Sequence, residues 1–426
     1  MTDISLLAAK FDNGDFDDKL LDVYVDEKKL SYQKDRYKRA LQSFEKHFGK
    51  NNVEIYSAPG RSEIGGNHTD HQHGEVLAAS INNDAIAVVN PLDEPTVKVV
   101  SDGYDMITVS LNDLSMKEGE KESTLALIKG VLAGIKQHGY SIGGFQAYIT
   151  SDVLIGAGLS SSAAYETVIG TILSGLYNNM QISPVEIAII GQYAENIYFG
   201  KPCGLMDQMA CSVGGLVHID FGKPDSPDVD KVDFDFNKYN YSLCITDTKG
   251  SHADLTADYA AIPEEMKKAA EFFGKEFLIE VDSGQLLGSI TELREKAGDR
   301  AVLRALHFVC ENKRVQQEVN ALRNGKIDEF FDTVKASGDS SFIYLQNVYS
   351  NHDINHQNVS IALALSDMFL GRNGVSRVHG GGFAGTIQAF VKNDAVAAYQ
   401  KDMDAVFGSG ACSVLKIRKY GGIMIC

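Results

Sequence analysis

The chain has 426 residues, 44% of them hydrophobic and 23% charged, with a formal net charge of −17 at pH 7. That length exceeds what one hydrophobic core organises and calls for two domains, three at most. An acidic balance argues against a nucleic-acid surface, whose footprint is a basic stripe, and no run approaches the roughly 18 apolar residues of a membrane span.

A nucleotide ligand remains compatible with that charge, because a local nest of N–H groups and one cation outweigh the global field. The six cysteines (203, 211, 244, 310, 412 and 426) form no C-x-x-C pair and no metal-ligand spacing. The first residues carry Asp12, Asp15, Asp17 and Asp18 and lack the basic start and apolar run of a signal peptide. Reduced thiols and a cytoplasmic location are the expectation.

Residues 1–50 read as charged and mostly helical, with Tyr37, Leu41, Phe44 and Phe48 at three- and four-residue spacings. The first thirty read as a hairpin or helix laid on the main body. Strand texture begins at Val53–Tyr56 and continues in Ala85–Val89, Val97–Val100 and Met106–Val109. Between the first two of these lies Ala58-Pro-Gly-Arg-Ser-Glu-Ile-Gly-Gly-Asn-His-Thr-Asp70. Such composition usually makes a polar turn. Here His68 and Asp70, two apart, can grip vicinal sugar hydroxyls, and Arg61 just upstream can stabilise a transferring phosphoryl group.

A helix over Ser123–His138 leads to a β-prone run, Ala147–Leu154, and then to Gly156-Ala-Gly-Leu-Ser-Ser-Ser-Ala163. Gly156 and Gly158 let the backbone approach a ligand without interference from Cβ. Successive N–H groups, backed by a helix N-terminus, suit anionic oxygens. The hydroxyls of Ser160, Ser161 and Ser162 can cap the helix, bond phosphate or ligate a metal. A lone glycine turn with a serine cap would be the plainer account. Twelve contiguous residues of the right types, with partners elsewhere in the chain, favour a phosphate-binding loop. No Gly-Lys-Ser/Thr follows the glycines, so it is not a Walker A loop. A third glycine is also missing, which argues against a dinucleotide fingerprint.

Helices are expected over Ser161–Asn178 and Ser183–Phe199, the second opened by a Ser-Pro cap. The latter carries Glu195, twelve residues before Asp207 in Gly200-Lys-Pro-Cys-Gly-Leu-Met-Asp-Gln208. A carboxylate there can accept a hydroxyl proton as its oxygen attacks phosphorus, although an aspartate after Gly-Leu-Met is most often a helix cap. Gly214-Gly215 precedes a strand over Leu216–Asp220. The Pro- and Asp-rich Gly222–Asp235 reads as a solvated connection and a domain boundary. A strand over Tyr241–Thr246, helices through 260–340, the glycine turn His379-Gly-Gly-Gly-Phe-Ala-Gly385 and a strand over Thr386–Val391 complete an α+β chain in two lobes.

The serine-rich loop resembles the nucleotide-binding motif of the GHMP small-molecule kinases, roughly P-x-G-x-G-L-S-S-S-A, with Leu154 where that family has proline. Residues 60–71 are similar to the galactokinase signature G-R-x-N-x-I-G-E-H-T-D-Y, with Ile64-Gly65 as the turn. Glu63 replaces its asparagine, Asn67 its glutamate and His71 its tyrosine. The Asp207 segment resembles G-x-M-D-Q, and the late turn resembles T-G-G-G-F-G-G, with His379 for threonine and Ala384 for glycine. Tyr259 stands where a sugar-contacting tyrosine follows a histidine, here His252, but the arginines that usually come next are absent. Four motifs in family order span residues 40–426.

This resemblance implies a two-lobed GHMP kinase fold, with a ribosomal S5-like N-terminal lobe, a ferredoxin-like C-terminal lobe and the active site between them. The implied division is an extension at 1–35, an ATP- and sugar-binding lobe at 36–221 and a second lobe at 236–426, whose last strand is free to return to the first. It implies ATP-dependent phosphorylation of a galactose-like sugar at its C1 hydroxyl by a monomer, without nucleic acid or membrane. Asp207 and Arg61 would be catalytic. Asn67, His68, Asp70, Gly204, Tyr259 and Gly382 would bind sugar. Gly156, Gly158, Leu159, Ser160, Ser161, Ser162 and Ala163 would bind ATP, and Ser162 with Glu195 would hold Mg²⁺.

Asn67 opens an alternative acceptor. Losing a carboxylate removes a repulsion of about 4 kcal/mol between like charges ~4 Å apart at an effective dielectric of 20. Galacturonate is therefore a second reading behind galactose, with N-acetylgalactosamine a further related acceptor. A non-catalytic sugar and ATP sensor is a third, disfavoured by the intact Ser160–Ala164 and Asp207. Mevalonate and homoserine kinases fail on His68-Thr-Asp70 and Met206-Asp-Gln208.

Overall fold

The computed structural model describes residues 1–153, 158–223, 226–250 and 255–426. The chain opens with a short strand, β1 (Thr2–Asp3), and three helices, α1 (Ile4–Asn13), α2 (Asp17–Tyr24) and α3 (Leu30–Phe48). Asp3 caps α1 by accepting from the amides of Ser5 and Leu6, and Gly14 ends it in the left-handed region. Then come β2 (Asn52–Gly65), β3 (Glu75–Leu92), β4 (Thr96–Ser101), β5 (Ile107–Ser110), α4 (Thr124–Gln137), β6 (Gly144–Ser151) and α5 (Ser161–Asn178). Helix α6 (Pro184–Tyr193) starts with a Ser183–Glu186 capping box and runs on as a π-helical segment, Ala194–Phe199. Helix α7 (Met206–Val213), β7 (Leu216–Asp220) and β8 (Asp228–Lys231) follow.

These strands, with the last one of the chain, build a nine-stranded sheet in the order β1-β2-β3-β6-β4-β5, in which β7 pairs with β3, and β8 with β7. Strand β3 alternates its side chains between two cores. Ala85, Ala87 and Val89 pack under α4, α5 and α6, whereas Ile86 and Val88 pack under α1–α3. Residues 1–29 therefore lie on the sheet through α1 and α2, and α3 runs through position 35. The Pro- and Asp-rich run 222–235 includes β8, an exposed acidic edge strand paired through Ile219↔Val229.

The remainder comprises β9 (Tyr241–Asp247), α8 (Thr256–Phe272), α9 (Ser283–Gly288), α10 (Ile290–Ala297), α11 (Asp299–Arg323) and α12 (Ile327–Ser340). After these come α13 (Asn358–Leu370), β10 (Gly374–His379), β11 (Thr386–Lys392), α14 (Val396–Phe407), β12 (Cys412–Leu415) and β13 (Ile423–Met424). A four-stranded antiparallel sheet, β10-β11-β9-β12, forms the second layer system. Strand β13 returns to β2, pairing Ile423 with Ser57. One apolar cluster joins the two sheets through Ile64, Leu77 and Ile81, the α11 residues Val315 and Val319, and Leu243 and Phe390. Among the described residues no helix is long and apolar enough to cross a membrane.

Two register shifts in the β2–β3 pairing, at Pro59/Arg61 and Glu63/Gly65, bend the end of β2. Bulges of this kind re-aim side chains next to functional sites. They sit within the Ala58–Asp70 run that carries Arg61, His68 and Asp70.

Candidate active site

Arg61 leaves the bulged end of β2 and meets Asp207 on the first turn of α7. Its Nε donates to Asp207 Oδ1 at 2.7 Å and its Nη2 to Oδ2 at 2.8 Å, a bidentate fork. Burial opposes the charge on Asp207, but Arg61 and a hydroxyl bond from Ser160 outweigh it and hold the carboxyl below its usual value. The Arg61 side chain is 8% exposed and that of Asp207 30%. The pair is thus anchored on one side and open on the other. Arg61 also donates to the carbonyl of Gly158, and its backbone N–H to that of Leu159 at 3.1 Å.

Those two residues lead into α5. Gly158 has φ +66° and Ser160 φ +57°, so the chain enters the helix through left-handed geometry, and the Ser160 hydroxyl and the Gly158 carbonyl lie against the Arg61–Asp207 pair. Ser160 spends its hydroxyl on Asp207 and makes no side-chain cap. Ser161, Ser162 and the buried Ala163 form the first turn of α5. The expected phosphate-loop residue Gly156 lies outside the described residues, as does His252.

Within that first turn, Ser162 Oγ donates to Glu195 Oε1 at 3.2 Å. Glu195 sits on the π-helical segment, a distortion often found at functional sites. Gln208 Nε2 bridges Glu195 Oε2 at 2.8 Å and Glu166 Oε2 at 3.1 Å, and Lys201 Nζ lies 3.4 Å from Glu195 Oε1. Burial, reinforced by Glu195, pushes the Glu166 carboxyl well up. Its Oε1 is buried and has no hydrogen-bond partner among the described residues. The set offers one hydroxyl and two carboxyl groups, and the Glu166 Oε1 among them is unsatisfied. That chemistry fits Mg²⁺, which takes few protein oxygens and keeps several waters. Sequence reasoning assigned no role to Glu166, Lys201 or Gln208. The helical offset of Glu166 from Ser162 and the adjacency of Gln208 to Asp207 were the available signals.

The loop after β2 forms the other wall. A Cβ at Gly204 would overlap the Asp70 carboxylate, so the glycine is what lets the turn before α7 lie against Asp70. His68 has φ +60° and its Nε2 is 3.2 Å from the carbonyl of Gly381. Burial and the neighbouring His71 bring the imidazole down to about 3, so it is neutral and donates that proton. Tyr259 at the start of α8 donates its hydroxyl to Gly382 O at 2.7 Å and sets its ring on Phe383. Gly382 has φ +80°, and a Cβ there would overlap the Asn347 carbonyl.

Two departures from the signature fall behind this wall. Asn67 is fully buried, and its amide is engaged by Glu63, Gly380, Ser341 and Asn347. In this conformation it faces protein on every side. His379 is also buried, between Ser62 and Thr386. The Glu63 N–H donates to its Nε2, so its Nδ1–H faces Thr386 Oγ1 at 2.9 Å. Burial, with Arg61 and Arg377, holds it well below the usual value and therefore neutral.

A two-sheet α+β chain with a serine-rich helix N-terminus facing an Arg–Asp pair has the fold of the GHMP kinases. A family model for their N-terminal domain matches residues 126–215. A mevalonate kinase from Methanococcus jannaschii superposes with a TM-score of 0.60 over 86% of this chain and 99% of its own, at 14% identity. Within that class, the model of the galactokinase galactose-binding signature matches residues 42–91. The chain is 31% identical over 360 residues to a galactokinase of Glaesserella parasuis, covering 84% of this chain and 90% of the relative. A galactokinase of Streptomyces coelicolor is 27% identical over 88% of this chain and 94% of its own. The Lactococcus lactis galactokinase complexed with galactose superposes with a TM-score of 0.77 at 25% identity, covering 90% of this chain and 98% of its own. The chain belongs to the galactokinase family.

Proposed function

We infer that this enzyme transfers the γ-phosphoryl group of ATP to the C1 hydroxyl of galactose, releasing galactose 1-phosphate and ADP. The observation that carries the residue assignment is the Arg61–Asp207 fork, set between the N-terminus of α5 and the Asp70–Gly204 contact. Asp207, ionised, orients the C1 hydroxyl in the place taken here by Ser160 Oγ. It accepts the hydroxyl proton as the oxygen bonds to phosphorus and the bond to the β-phosphate oxygen breaks. Its depressed basicity suits a late proton transfer to an oxygen already committed to phosphorus. Arg61 holds Asp207 in register and adds positive charge beside the transferring group.

Backbone amides from Gly158 to Ala163 cradle the phosphates at the helix N-terminus. Ser162 and Glu195, with Glu166 beside them, would hold Mg²⁺, which when bound would supply charge neutralisation to the nucleotide phosphates. On the sugar side we assign Asp70, neutral His68, Tyr259 and the backbone at Gly204 and Gly382. The four protein contacts of Asn67 leave its amide no free group for the sugar in this conformation, so the preference for galactose over galacturonate rests on His68 and Asp70. The intact Ser160–Ala164 stretch and Asp207 support turnover over mere sensing.

The test is ADP release with Mg·ATP across galactose, N-acetylgalactosamine, galacturonate and glucose, beside Asp207→Ala. Turnover on galactose, lowered at least about 10³-fold by the substitution, is the expected result. Unchanged turnover in the variant would remove Asp207 from the chemistry. Turnover on the uronate alone would move the substrate.

A further inference from the structure

The two departures at positions 63 and 67 are in direct contact. The signature places an amide first and a carboxylate four residues later, and this chain reverses both. Asn67 Nδ2 donates to Glu63 Oε1 at 3.0 Å. The same carboxylate accepts from Arg377 Nη2, and Arg377 is fully buried. Arg377 binds the carbonyls of Ile64 at 2.8 Å and Val378 at 3.0 Å with its remaining groups, so it ties β10 to β2.

Asn67 is tied as firmly. Its Nδ2 also donates to Gly380 O at 2.7 Å, and its Oδ1 accepts from Asn347 at 2.8 Å and Ser341 at 3.2 Å. Its backbone N–H reaches Glu311 Oε1 at 3.4 Å, and its carbonyl accepts from His307 at 2.9 Å. The next residues along the chain are His68 and Asp70, on the sugar wall.

We propose that Glu63 and Asn67 are one positioning unit in which carboxylate and amide have traded places, and that this unit, locked to Arg377, sets the His68–Asp70 loop against the Gly380–Gly382 turn for sugar binding. The claim rests on the galactokinase reading. The charge inventory explains why the exchange must be reciprocal. A carboxylate at 67 with Glu63 retained would set two buried acids and the Gly380 carbonyl together, where burial already pushes Glu63 up to about 7 against the pull of Arg377. An amide at 63 with Asn67 retained would strip buried Arg377 of its hydrogen-bonded carboxylate. Only the paired change keeps one charge and one amide.

Steady-state kinetics of full-length Glu63→Gln, Asn67→Asp and the double variant, all isosteric, test this. Each single variant is expected to raise the KM for galactose about tenfold or more while the KM for ATP stays within about twofold. The double should return to within about threefold of the parent; the Gly380 carbonyl still lacks its donor, so recovery is incomplete. A double no better than the product of the singles overturns the unit. Equal shifts in both KM values together with the melting temperature also overturn it, since they mark a merely structural role. Should the singles not fold, Glu63→Asn with Asn67→Glu restores the signature's arrangement; a soluble double from insoluble singles upholds the unit and an insoluble double overturns it. A parent inactive on galactose defeats the galactokinase reading instead. The sugar-positioning role of the unit falls with that reading.

Discussion

Glu318 lies on α11 with no solvent exposure, and neither carboxyl oxygen has a hydrogen-bond partner among the described residues. Its carboxyl presses on Gly65, where a Cβ would overlap it. Burial, with Glu311 next in weight, pushes this acid well above its usual value, so the folded protein keeps it neutral. The sign follows: an acid raised in the fold favours folding at low pH, and that contribution is lost as pH rises above the unfolded value of about 4.5. Glu318→Gln removes the titration and keeps the shape. Relative to the parent, the variant should gain about 1.4 kcal/mol per pH unit between about pH 5 and the folded value. Urea midpoints at about pH 6 and pH 7 check it, and a gap that does not widen would mean that Glu318 is ionised in the fold. Nothing local in the sequence marks this residue. Arg61, His68, Asp70 and Asp207 were legible because their motifs are contiguous and chemically unusual. Glu318, Glu311 and Arg377 act on the same loop from 240 or more positions away, which a motif cannot reveal.

At the scale of elements, amphipathic and capped segments were the readable ones. Helix α5 spans Ser161–Asn178 and β7 spans Leu216–Asp220, both as their patterns predict. The helix expected over Ser183–Phe199 divides into α6 and the π-helical segment, because an apolar pattern does not register one residue of extra winding. Strand β2 runs to Gly65 rather than stopping at Tyr56, since its end is buried on both faces and carries no alternation to read. The turn between the π-helical segment and α7 gives this scale its own test. Gly204 has no room for a Cβ because Asp70 occupies it. Gly204→Ala should push the Asp70 carboxylate aside and raise the KM for galactose at least about tenfold, with the KM for ATP nearly unchanged. A galactose KM within about twofold of the parent would show that Asp70 yields without cost and does not depend on this turn.

For the whole molecule, the question is what joins the N-terminal helices, the central sheet and the returning C-terminus into one body. Apolar packing supplies the area, as Phe11, Leu20 and Phe44 share a cluster with Ile55, Val88 and Ile425. The geometry is set by Asp84 on β3, which is fully buried. Its Oδ1 accepts from Arg36 of α3 at 2.5 Å, and its Oδ2 from Tyr24 of α2 at 2.8 Å and from Arg418 of the C-terminal segment at 3.0 Å. Ser57 of β2 bonds to it as well. Burial opposes the charge, and Arg36 and Arg418 outweigh it, so Asp84 stays ionised below the usual range. Replacing it by asparagine keeps the shape but leaves two buried guanidinium groups sharing an amide, with Asp152 at 3.2 Å from Arg36 as the nearest relief. Breaking such a group costs about 3–5 kcal/mol. Asp84→Asn should therefore lower the urea midpoint by that equivalent, while the KM for galactose stays within about twofold because the sugar wall lies on other elements. A loss below about 1 kcal/mol would show that Asp152 takes over the charge and that apolar packing alone holds the three parts together.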